Sequence, residues 1–494
     1  MRRLMLAALP LTLAAALQGQ APKPDQFASA RALIHTAITD SGVPSIAVAV
    51  SKGGKVIWEE GFGWADRERR VAATEHTMYS LASISKPVTA TGLMVLVERG
   101  KVDLDRPAND YLGLGKLTGL AGNASLATVR RVANHTAGLP LHYMFYYEGA
   151  GDAVPTMDEA IARYGILINP PGSFYQYSNL GFGVIDHIIE RMSGMRYEDF
   201  MRSEVFLPLG LTRTSINLDP ALEPYAAVRY DPQGHPVPFY DFDHRGASAV
   251  YASAHDLLRF GMFHLKDRLP DMKRILRDST LDAMHASTTG IAGSEYGVGW
   301  RVTPDENGLL RVSHSGGMPG VNTILALYPS EDLAVVVLAN TTGSAPFRIA
   351  SEIVGTLVPR YADSLKARRA RAKPPEPAKW AMPTQLAGEW TGTVRTWDGT
   401  VPFTLTFQAD GDVVAKLGDQ HRALLWEPEW QDSVFTGRFG GRMPTPDAGR
   451  HPHSILLTLT LRGGVLSGQA SAQTIPPDTV YFARTSYATL SRKQ

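Results

Sequence analysis

Residues 83–87 read Ser-Ile-Ser-Lys-Pro and lead directly into a helical pattern over residues 88–99. Proline is tolerated in the first turn of a helix, where the backbone N–H groups have no partners. The helix is therefore predicted to begin close to Ser83 and to end before Gly100, a residue typical of helix C-termini. Ser83 and Lys86 are then three residues apart and face the same side of one turn.

This pairing of a serine with a lysine has a functional and a structural interpretation. A serine hydroxyl becomes a nucleophile when a neighbouring base removes its proton, and burial lowers the pKa of a lysine far enough for that role. The N–H groups at a helix start also favour a developing oxyanion. The alternative is that Ser83 only caps the helix and Lys86 is a solvated surface residue. For so short a motif standing alone, the structural interpretation is the more frequent one.

A second motif is Tyr177-Ser178-Asn179, which precedes a helical pattern over residues 180–192 that is followed by Gly194. A tyrosine in this position could act as a second base if a nearby lysine held it as phenolate or shared its proton. The amide of Asn179 offers both a donor and an acceptor to a substrate. The alternatives are a buried tyrosine and a helix-capping asparagine.

The third motif, His314-Ser315-Gly316-Gly317, ends a strand-like run. Paired glycines at the end of a strand let a ligand approach the backbone closely, and an N–H group there could bind an oxyanion. A hairpin bulge with an incidental histidine is the structural alternative.

Taken together and in this order, the three motifs resemble the serine β-lactamase and penicillin-binding-protein superfamily. The likeness is to its branch of class C β-lactamases, esterases and D-aminopeptidases, whose members share S-x-x-K, Y-x-N and K/H-x-G, and it covers about residues 25–360. Five further stretches fit this branch: GFGWADRE at 61–68, NHTAGLP at 134–140, PGSFYQYSNLGFGVI at 171–185, VYASAHDLLRF at 250–260 and YGVGW at 296–300.

The resemblance implies a role for each motif residue. Ser83 would be the acylated nucleophile, and Lys86 and Tyr177 would share general-base and general-acid work. Asn179 would hold the acyl-side amide of the substrate. The N–H groups of Ser83 and Gly317 would form the oxyanion hole. His314, Ser315 and Gly316 would border the substrate.

The departure from the family pattern is His314, which stands where β-lactamases usually carry lysine. An unperturbed histidine, with a pKa of about 6.5, is mostly neutral at neutral pH. It would therefore offer little charge to the carboxylate of a β-lactam. We also expect this charge to change as the pH falls through the titration of the histidine.

The chain divides into four predicted segments. Residues 1–21 combine two arginines, an apolar run and small residues, which is typical of a signal peptide. Residues 25–362 carry strand patterns at both ends and helical patterns between them, which predicts an α+β domain with an antiparallel sheet flanked by helices. Gly53 and Gly54 predict a hairpin turn between the first two strands of this domain. The resemblance adds a helical subdomain. Residues 363–384 are basic and Pro-rich and are predicted to be a linker, and residues 385–494 read as an all-β barrel, lipocalin-like by resemblance.

Composition excludes several classes of protein. The chain has 494 residues, with 49 Lys and Arg against 48 Asp and Glu, so it carries no overall electrostatic footprint for nucleic acid. It has no cysteine, which excludes disulfides, a cysteine nucleophile and thiolate metal sites. No membrane span is expected after cleavage of the signal peptide.

The sequence thus predicts an exported serine hydrolase, periplasmic or secreted, that needs no metal or cofactor. Its substrates would be small peptides, those with D-residues included, or esters. Within the same class the alternatives are a β-lactamase and a D,D-carboxypeptidase. From a different class, the alternative is a catalytically silent binding or assembly protein on the same fold. A homo-oligomer is compatible with all of these hypotheses.

Overall fold

The computed structural model describes residues 25–304, 309–371, 380–475 and 480–493. The helices in these ranges are α1 (Ala28–Thr39), α2 (Ser85–Glu98), α3 (Val129–Ala133), α4 (Met157–Tyr164), α5 (Asn179–Ser193), α6 (Tyr197–Met201), α7 (Arg245–Ser248), α8 (Ala254–His264), α9 (Asp278–His285), α10 (Ala345–Leu357) and α11 (Pro359–Arg371). The strands up to residue 340 are β1 (Ser45–Lys52), β2 (Lys55–Asp66), β3 (Val71–Ala72), β4 (Met78–Ser80), β5 (Thr118–Gly119), β6 (Tyr143–Met144), β7 (Tyr146–Tyr147), β8 (Ile166–Leu167), β9 (Thr214–Ile216), β10 (Tyr240–Asp241), β11 (Val250–Ser253), β12 (Arg301–Pro304), β13 (Leu310–Met318), β14 (Val321–Tyr328) and β15 (Leu333–Ala339). The strands after residue 380 are β16 (Gly388–Arg395), β17 (Thr400–Phe407), β18 (Val413–Leu417), β19 (Ala423–Leu424), β20 (Trp426–Gln431), β21 (Val434–Gly440), β22 (His453–Arg462), β23 (Val465–Thr474) and β24 (Phe482–Arg492).

The main sheet of the first part is antiparallel and seven-stranded, in the order β12-β13-β14-β15-β1-β2-β3. It joins the two ends of this part, because β1 pairs with β15 from Ile46↔Ala339 to Lys52↔Leu333. The β1–β2 hairpin turns at Gly53 and Gly54, as predicted, with φ angles of 60° and 68° that favour glycine. The predicted α+β fold with an antiparallel sheet is confirmed.

Helices cover both faces of this sheet. Along β1, Ile46, Val48 and Val50 belong to the core formed with α1 and α10. Ala47 and Ala49, on the opposite face, belong to the core that contains α2, α5 and α8. This alternation explains why β1 reads as a continuous apolar run, since a strand buried on both faces has no solvent side.

The most buried helix is α2, in which every residue from Ser85 to Leu96 is buried. A helix that is buried on all sides needs apolar or small residues around its whole circumference, and its sequence SKPVTATGLMVLVE supplies them. It contacts α5, α6 and α7, so the start of α2 lies deep in the protein between the main sheet and the helical part.

The strands after residue 380 form a nearly closed antiparallel sheet in the order β19-β18-β17-β16-β24-β23-β22-β21-β20. The predicted barrel-like arrangement is confirmed, although the sequence pattern does not mark β19, β20, β21 and β23 as strands. Strand β23 reads VLSGQASAQT, and apart from Leu466 and Gln469 its buried positions hold only serine, alanine and glycine. Such small residues give no apolar alternation by which a strand could be recognised.

The predicted linker and signal peptide are only partly visible. Helix α11 extends to Arg371, so the first residues of the predicted linker 363–384 are helical. The predicted signal peptide, residues 1–21, lies outside the described residues. Within the described ranges, no helix has both the length and the apolar character needed to cross a membrane.

A short segment, residues 143–147, connects the first part of the chain to the barrel. Strand β6 pairs with β24 through Met144↔Phe482 and Tyr143↔Ala483. The side chains of Met144 and Tyr146 belong to the hydrophobic core of the barrel, although they come from the first third of the chain. The barrel core is therefore completed by residues from outside the barrel.

This contact predicts an effect on stability. Met144→Ala should lower the free energy of unfolding by about 2–4 kcal/mol, because Met144 is fully buried and its removal leaves a cavity. Met195→Ala is the matched control, since Met195 is 36% exposed and its replacement should cost no more than about 0.5 kcal/mol. Urea denaturation of the full-length protein measures both. Equal losses for the two variants would contradict the role given to segment 143–147.

Candidate active site

Ser83 lies in a tight 3-10 turn, Ala82–Ile84, that leads straight into α2. The predicted helix start is therefore close to its observed position at Ser85. Ala82 has a φ of 49°, a left-handed conformation that costs a non-glycine residue about 1–3 kcal/mol. The neighbouring strand β13 holds this turn, because a Cβ at Gly316 would lie 2.0 Å from the Leu81 carbonyl oxygen. Gly316 thus lets the protein's own backbone approach, not a ligand.

Lys86 is completely buried beside Ser83. Its Nζ donates hydrogen bonds to Ser83 Oγ at 3.0 Å, to Asn179 Oδ1 at 2.8 Å and to the Ala247 carbonyl at 3.1 Å. All three acceptors are uncharged, and burial holds the pKa of Lys86 well below its ordinary value. The low pKa favours the neutral amine, which keeps two N–H groups for Asn179 and Ala247 and has a lone pair that can accept the proton of Ser83.

Tyr177 lies on the other side of the same serine. Lys86 Nζ is 4.7 Å from the centre of its ring. Burial raises the pKa of Tyr177 above its ordinary value, although a hydrogen bond with Ser83 opposes the shift. The phenol is therefore protonated at rest, which favours shared proton transfer over a standing phenolate.

The residue that caps helix α5 is Ser178, whose hydroxyl accepts a hydrogen bond from the Gly181 N–H at 2.9 Å. Asn179 is thereby free for another task. Its Oδ1 accepts from Lys86, and its Nδ2 donates to the His142 carbonyl at 3.1 Å. Asn179 positions the lysine and also connects it to the segment that precedes Tyr143.

His314 is buried at the end of β13. Its Nδ1 bonds the Ser315 carbonyl at 2.8 Å, and its Nε2 bonds the hydroxyl of Tyr296 at 2.8 Å. Burial lowers the pKa of His314 to about 3. The sequence-based expectation of a titration near neutral pH is therefore wrong, since this imidazole is neutral across the physiological range.

Two cavities meet at the serine. Both are lined by Ser83, Tyr177 and Gly317, and a Cβ built at Gly317 would meet no atom within 4 Å, so its backbone faces open space. The first cavity, of about 460 Å³, also has Asn179 on its wall. The second, of about 540 Å³, also contains His314 and Ser315, together with Arg301 and Arg311. The residues of the three predicted motifs thus surround one site.

Sequence reasoning did not assign several residues that support this site. They include His135, Tyr296 and Ala247. The ring of His135 lies 4.4 Å from the ring of Tyr177, and the Nδ1 atom of His135 accepts the Ser178 N–H at 3.2 Å. His135 and Tyr296 stand in stretches noted for their family likeness, NHTAGLP and YGVGW, but their roles depend on contacts between distant segments.

A further cluster was missed, formed by His142, Asp243 and His244. Asp243 accepts hydrogen bonds from His142 Nε2 at 2.8 Å and from His244 Nδ1 at 2.6 Å. Their ligand atoms lie within 4.8 Å of one another, so this is the set that could be considered for a metal ion among the described residues. The two imidazoles bond the carboxylate directly, which makes the cluster a hydrogen-bonded triad, and His244 extends it to the wall of the first cavity.

Comparison with known proteins agrees with this geometry. Residues 30–356 match the beta-lactamase family model. Penicillin-binding protein 4* of Bacillus subtilis strain 168 is 26% identical over 389 residues, which span 72% of this chain and 80% of that protein. Unguisins hydrolase ungD' of Aspergillus campestris strain IBT 28561 is 30% identical over 327 residues, 62% of this chain and 60% of the relative.

Two solved structures share the fold over nearly the whole chain. An octameric penicillin-binding protein homologue from Pyrococcus abyssi superimposes with a TM-score of 0.58 and 22% identity, covering 93% of this chain and 99% of that one. SurE with D-Leu gives a TM-score of 0.59 and 21% identity, with 95% and 99% covered.

A buried lysine bonded to a serine at a helix start, with a tyrosine opposite, defines a serine hydrolase of the β-lactamase and penicillin-binding-protein type. This chain belongs to the beta-lactamase family. The predicted superfamily and enzyme class are confirmed.

The site distinguishes its two neighbouring serines. A fluorophosphonate should label Ser83, which lines both cavities, and should leave Ser85 unmodified. Ser85 is fully buried, and its Oγ accepts the Val250 N–H at 3.0 Å. Peptide mass spectrometry after labelling locates the adduct. Ser83→Ala should abolish labelling while Ser85→Ala retains it, and an adduct on any other residue would refute the assignment.

Proposed function

We propose that the protein is an exported hydrolase that forms an acyl-enzyme on Ser83 and cleaves small peptides or esters. The observation that carries this proposal is the 3.0 Å contact between Lys86 Nζ and Ser83 Oγ, made by a lysine whose burial lowers its pKa. A capping serine with a solvated lysine would have neither the burial nor the contact. The same contact argues against a silent binding or assembly protein.

In the proposed acylation, neutral Lys86 takes the proton of Ser83 as Oγ attacks the substrate carbonyl carbon. The oxyanion that forms is stabilised by the N–H groups of Ser83 and Gly317. Tyr177, which is protonated at rest and hydrogen-bonded to Ser83, passes a proton to the leaving nitrogen or oxygen. Water then attacks the acyl carbon with the same groups in reverse roles, and Ser83 recovers its proton.

The proposed substrates follow from the neutral state of His314. Because its pKa is about 3, it supplies no cation to a substrate carboxylate at neutral pH. Uncharged esters and amides are therefore proposed as the better substrates. The relative from Aspergillus campestris is named as a hydrolase of unguisins, which supports hydrolysis. SurE is seen with D-Leu, which supports testing peptides with D-residues.

The place of action and the assembly are also proposals. The residues 1–21 read as a signal peptide and support export to the periplasm or the medium. We retain a hydrolase domain over residues 25–362, a linker over 363–384 and a lipocalin-like barrel over 385–494. The octameric state belongs to the Pyrococcus abyssi homologue; a homo-oligomer of this chain is a hypothesis for light scattering.

One observation favours a second candidate, a β-lactamase or D,D-carboxypeptidase. The second cavity is lined by Arg301 and Arg311, and neither has an ion-pair partner within the described part of the chain. Substrates of both enzyme types carry a carboxylate, and a guanidinium is suited to bind it. If Arg301 reaches that carboxylate, the neutral state of His314 is no obstacle.

Replacing the proton-transfer residues tests the main proposal. Lys86→Ala and Tyr177→Phe should each lower kcat by about 10²–10⁴-fold on an activated ester, the range for a general acid or base. The double variant should lose much less than the product, because the two residues act as a unit. The pH profile of the wild type should fall on the acid side as Lys86 becomes protonated. An acid limb that is unchanged in the residual activity of Lys86→Ala would contradict the role of Lys86.

Comparing a chromogenic cephalosporin with p-nitrophenyl acetate tests the second candidate. The main proposal expects kcat/KM to be at least about a hundredfold lower for the cephalosporin, since a missing close charge costs a few kcal/mol. The ratio of the two kcat/KM values should not change between pH 5 and 9 on account of His314, whose pKa is about 3. Rapid cephalosporin hydrolysis that is lost in Arg301→Ala would establish the second candidate instead.

A further inference from the structure

The first cavity at Ser83 has an aromatic wall that is built from two distant parts of the chain. Tyr143 and Phe145 come from segment 143–147, and Tyr481 comes from the barrel, directly before β24. The rings of Tyr143 and Phe145 stack with their centres 5.7 Å apart, and those of Phe145 and Tyr481 are 6.5 Å apart. Leu141, Met318 and Val321 complete the apolar lining.

The backbone fixes this wall in place. The Phe145 N–H donates to the Tyr481 carbonyl at 3.2 Å, next to the pairing of β6 with β24. Because side chains alternate along an extended segment, Met144 and Tyr146 enter the barrel core while Tyr143 and Phe145 face the cavity. Tyr481 itself is 38% exposed, so its side chain is not part of a hydrophobic core and can contact a ligand.

The position of the wall relates it to one side of the reaction. The backbone N–H of Asn179 donates to the Leu141 carbonyl at 2.8 Å, and the side chain of Asn179 donates to the His142 carbonyl. These two bonds hold the chain against Asn179 directly before the wall residue Tyr143. The family resemblance implies that Asn179 faces the acyl-side amide, which places the wall on the acyl side of Ser83. The two arginines and His314 line the other cavity, across Ser83 and Tyr177.

We propose that Tyr143, Phe145 and Tyr481 form the binding site for a bulky apolar acyl group, so that the barrel helps to select the substrate. The inference rests on the proposed function, in which Ser83 takes up that acyl group. Aromatic rings bury a large apolar area at little cost in conformational entropy and accept aromatic or branched aliphatic groups. The substrate class is therefore esters or amides of acids with such groups, including aminoacyl compounds with apolar side chains.

The test compares two substrates of the full-length protein, p-nitrophenyl acetate and p-nitrophenyl 3-phenylpropionate. Their leaving group is the same, so that only the acyl group changes. The wild type should prefer the phenylpropionate in kcat/KM. In Tyr481→Ala this preference should fall on the order of tenfold, the effect of losing a hydrophobic contact in a specificity pocket. Tyr481→Phe, which keeps the ring, should retain the preference.

Two further variants make the result specific. Tyr487→Ala removes a half-buried tyrosine from β24, six residues after Tyr481 and on the order of 20 Å away, and should leave the preference unchanged. Tyr143→Ala removes the wall from the other part of the chain and should lower the preference as Tyr481→Ala does. It also decides the question if Tyr481→Ala does not fold.

Fluorophosphonate labelling of Ser83 distinguishes a failure of the proposed function from a failure of the proposed acyl-group site. If wild-type Ser83 is not labelled, the proposed function fails. If Ser83 is labelled but the preference stays the same in both Tyr481→Ala and Tyr143→Ala, the apolar site is refuted while the function stands. If these variants instead lose kcat/KM equally on both esters and are labelled more slowly, the apolar site is also refuted. The wall would then act on the nucleophile and not on the acyl group.

Discussion

The active site depends on a lysine buried without a counter-charge. No carboxylate contacts Lys86 within the described residues, and its three hydrogen-bond acceptors are a hydroxyl, an amide and a backbone carbonyl. A carboxylate in any of these positions would stabilise the ammonium form and would raise the pKa of Lys86. Neutral acceptors hold the side chain in place and leave the charged form unfavourable. Burying an amine in this way lowers the stability of the fold, and it makes Lys86 available as a base.

The three acceptors come from separate elements, and the rest of the fold brings them together. Ser83 lies in the turn before α2, Asn179 begins α5, and Ala247 belongs to α7. The strained backbone at Ala82 sets the direction of Ser83, and β13 presses against that turn at Gly316. The main sheet therefore fixes the nucleophile, while the helical part fixes the base.

The sequence predicted the parts of this arrangement that depend on local pattern. The S-x-x-K spacing and Pro87 placed Ser83 and Lys86 on one turn, and two glycines marked the β1–β2 hairpin. Local pattern could not reveal that burial holds His314 neutral, since its environment is formed by Tyr296 and by the whole site around it. Nor could it reveal that Tyr481 lines the same cavity as Ser83, because the two residues are almost 400 positions apart and only tertiary packing brings them to one site. Strand β23 was missed for a different reason: most of its buried positions hold small residues, which give no recognisable periodicity.

The alternation of side chains along segment 143–147 has a consequence for how such a chain can evolve. One short stretch presents Met144 and Tyr146 to the barrel core and, between them, Tyr143 and Phe145 to the reaction cavity. A barrel taken from a relative would have to bury Met144 and Tyr146 without changing the orientation of Tyr143 and Phe145. Barrel and hydrolase are thus expected to change together over time, and a chimera that exchanges one without this stretch would combine a sound catalytic serine with a mismatched cavity.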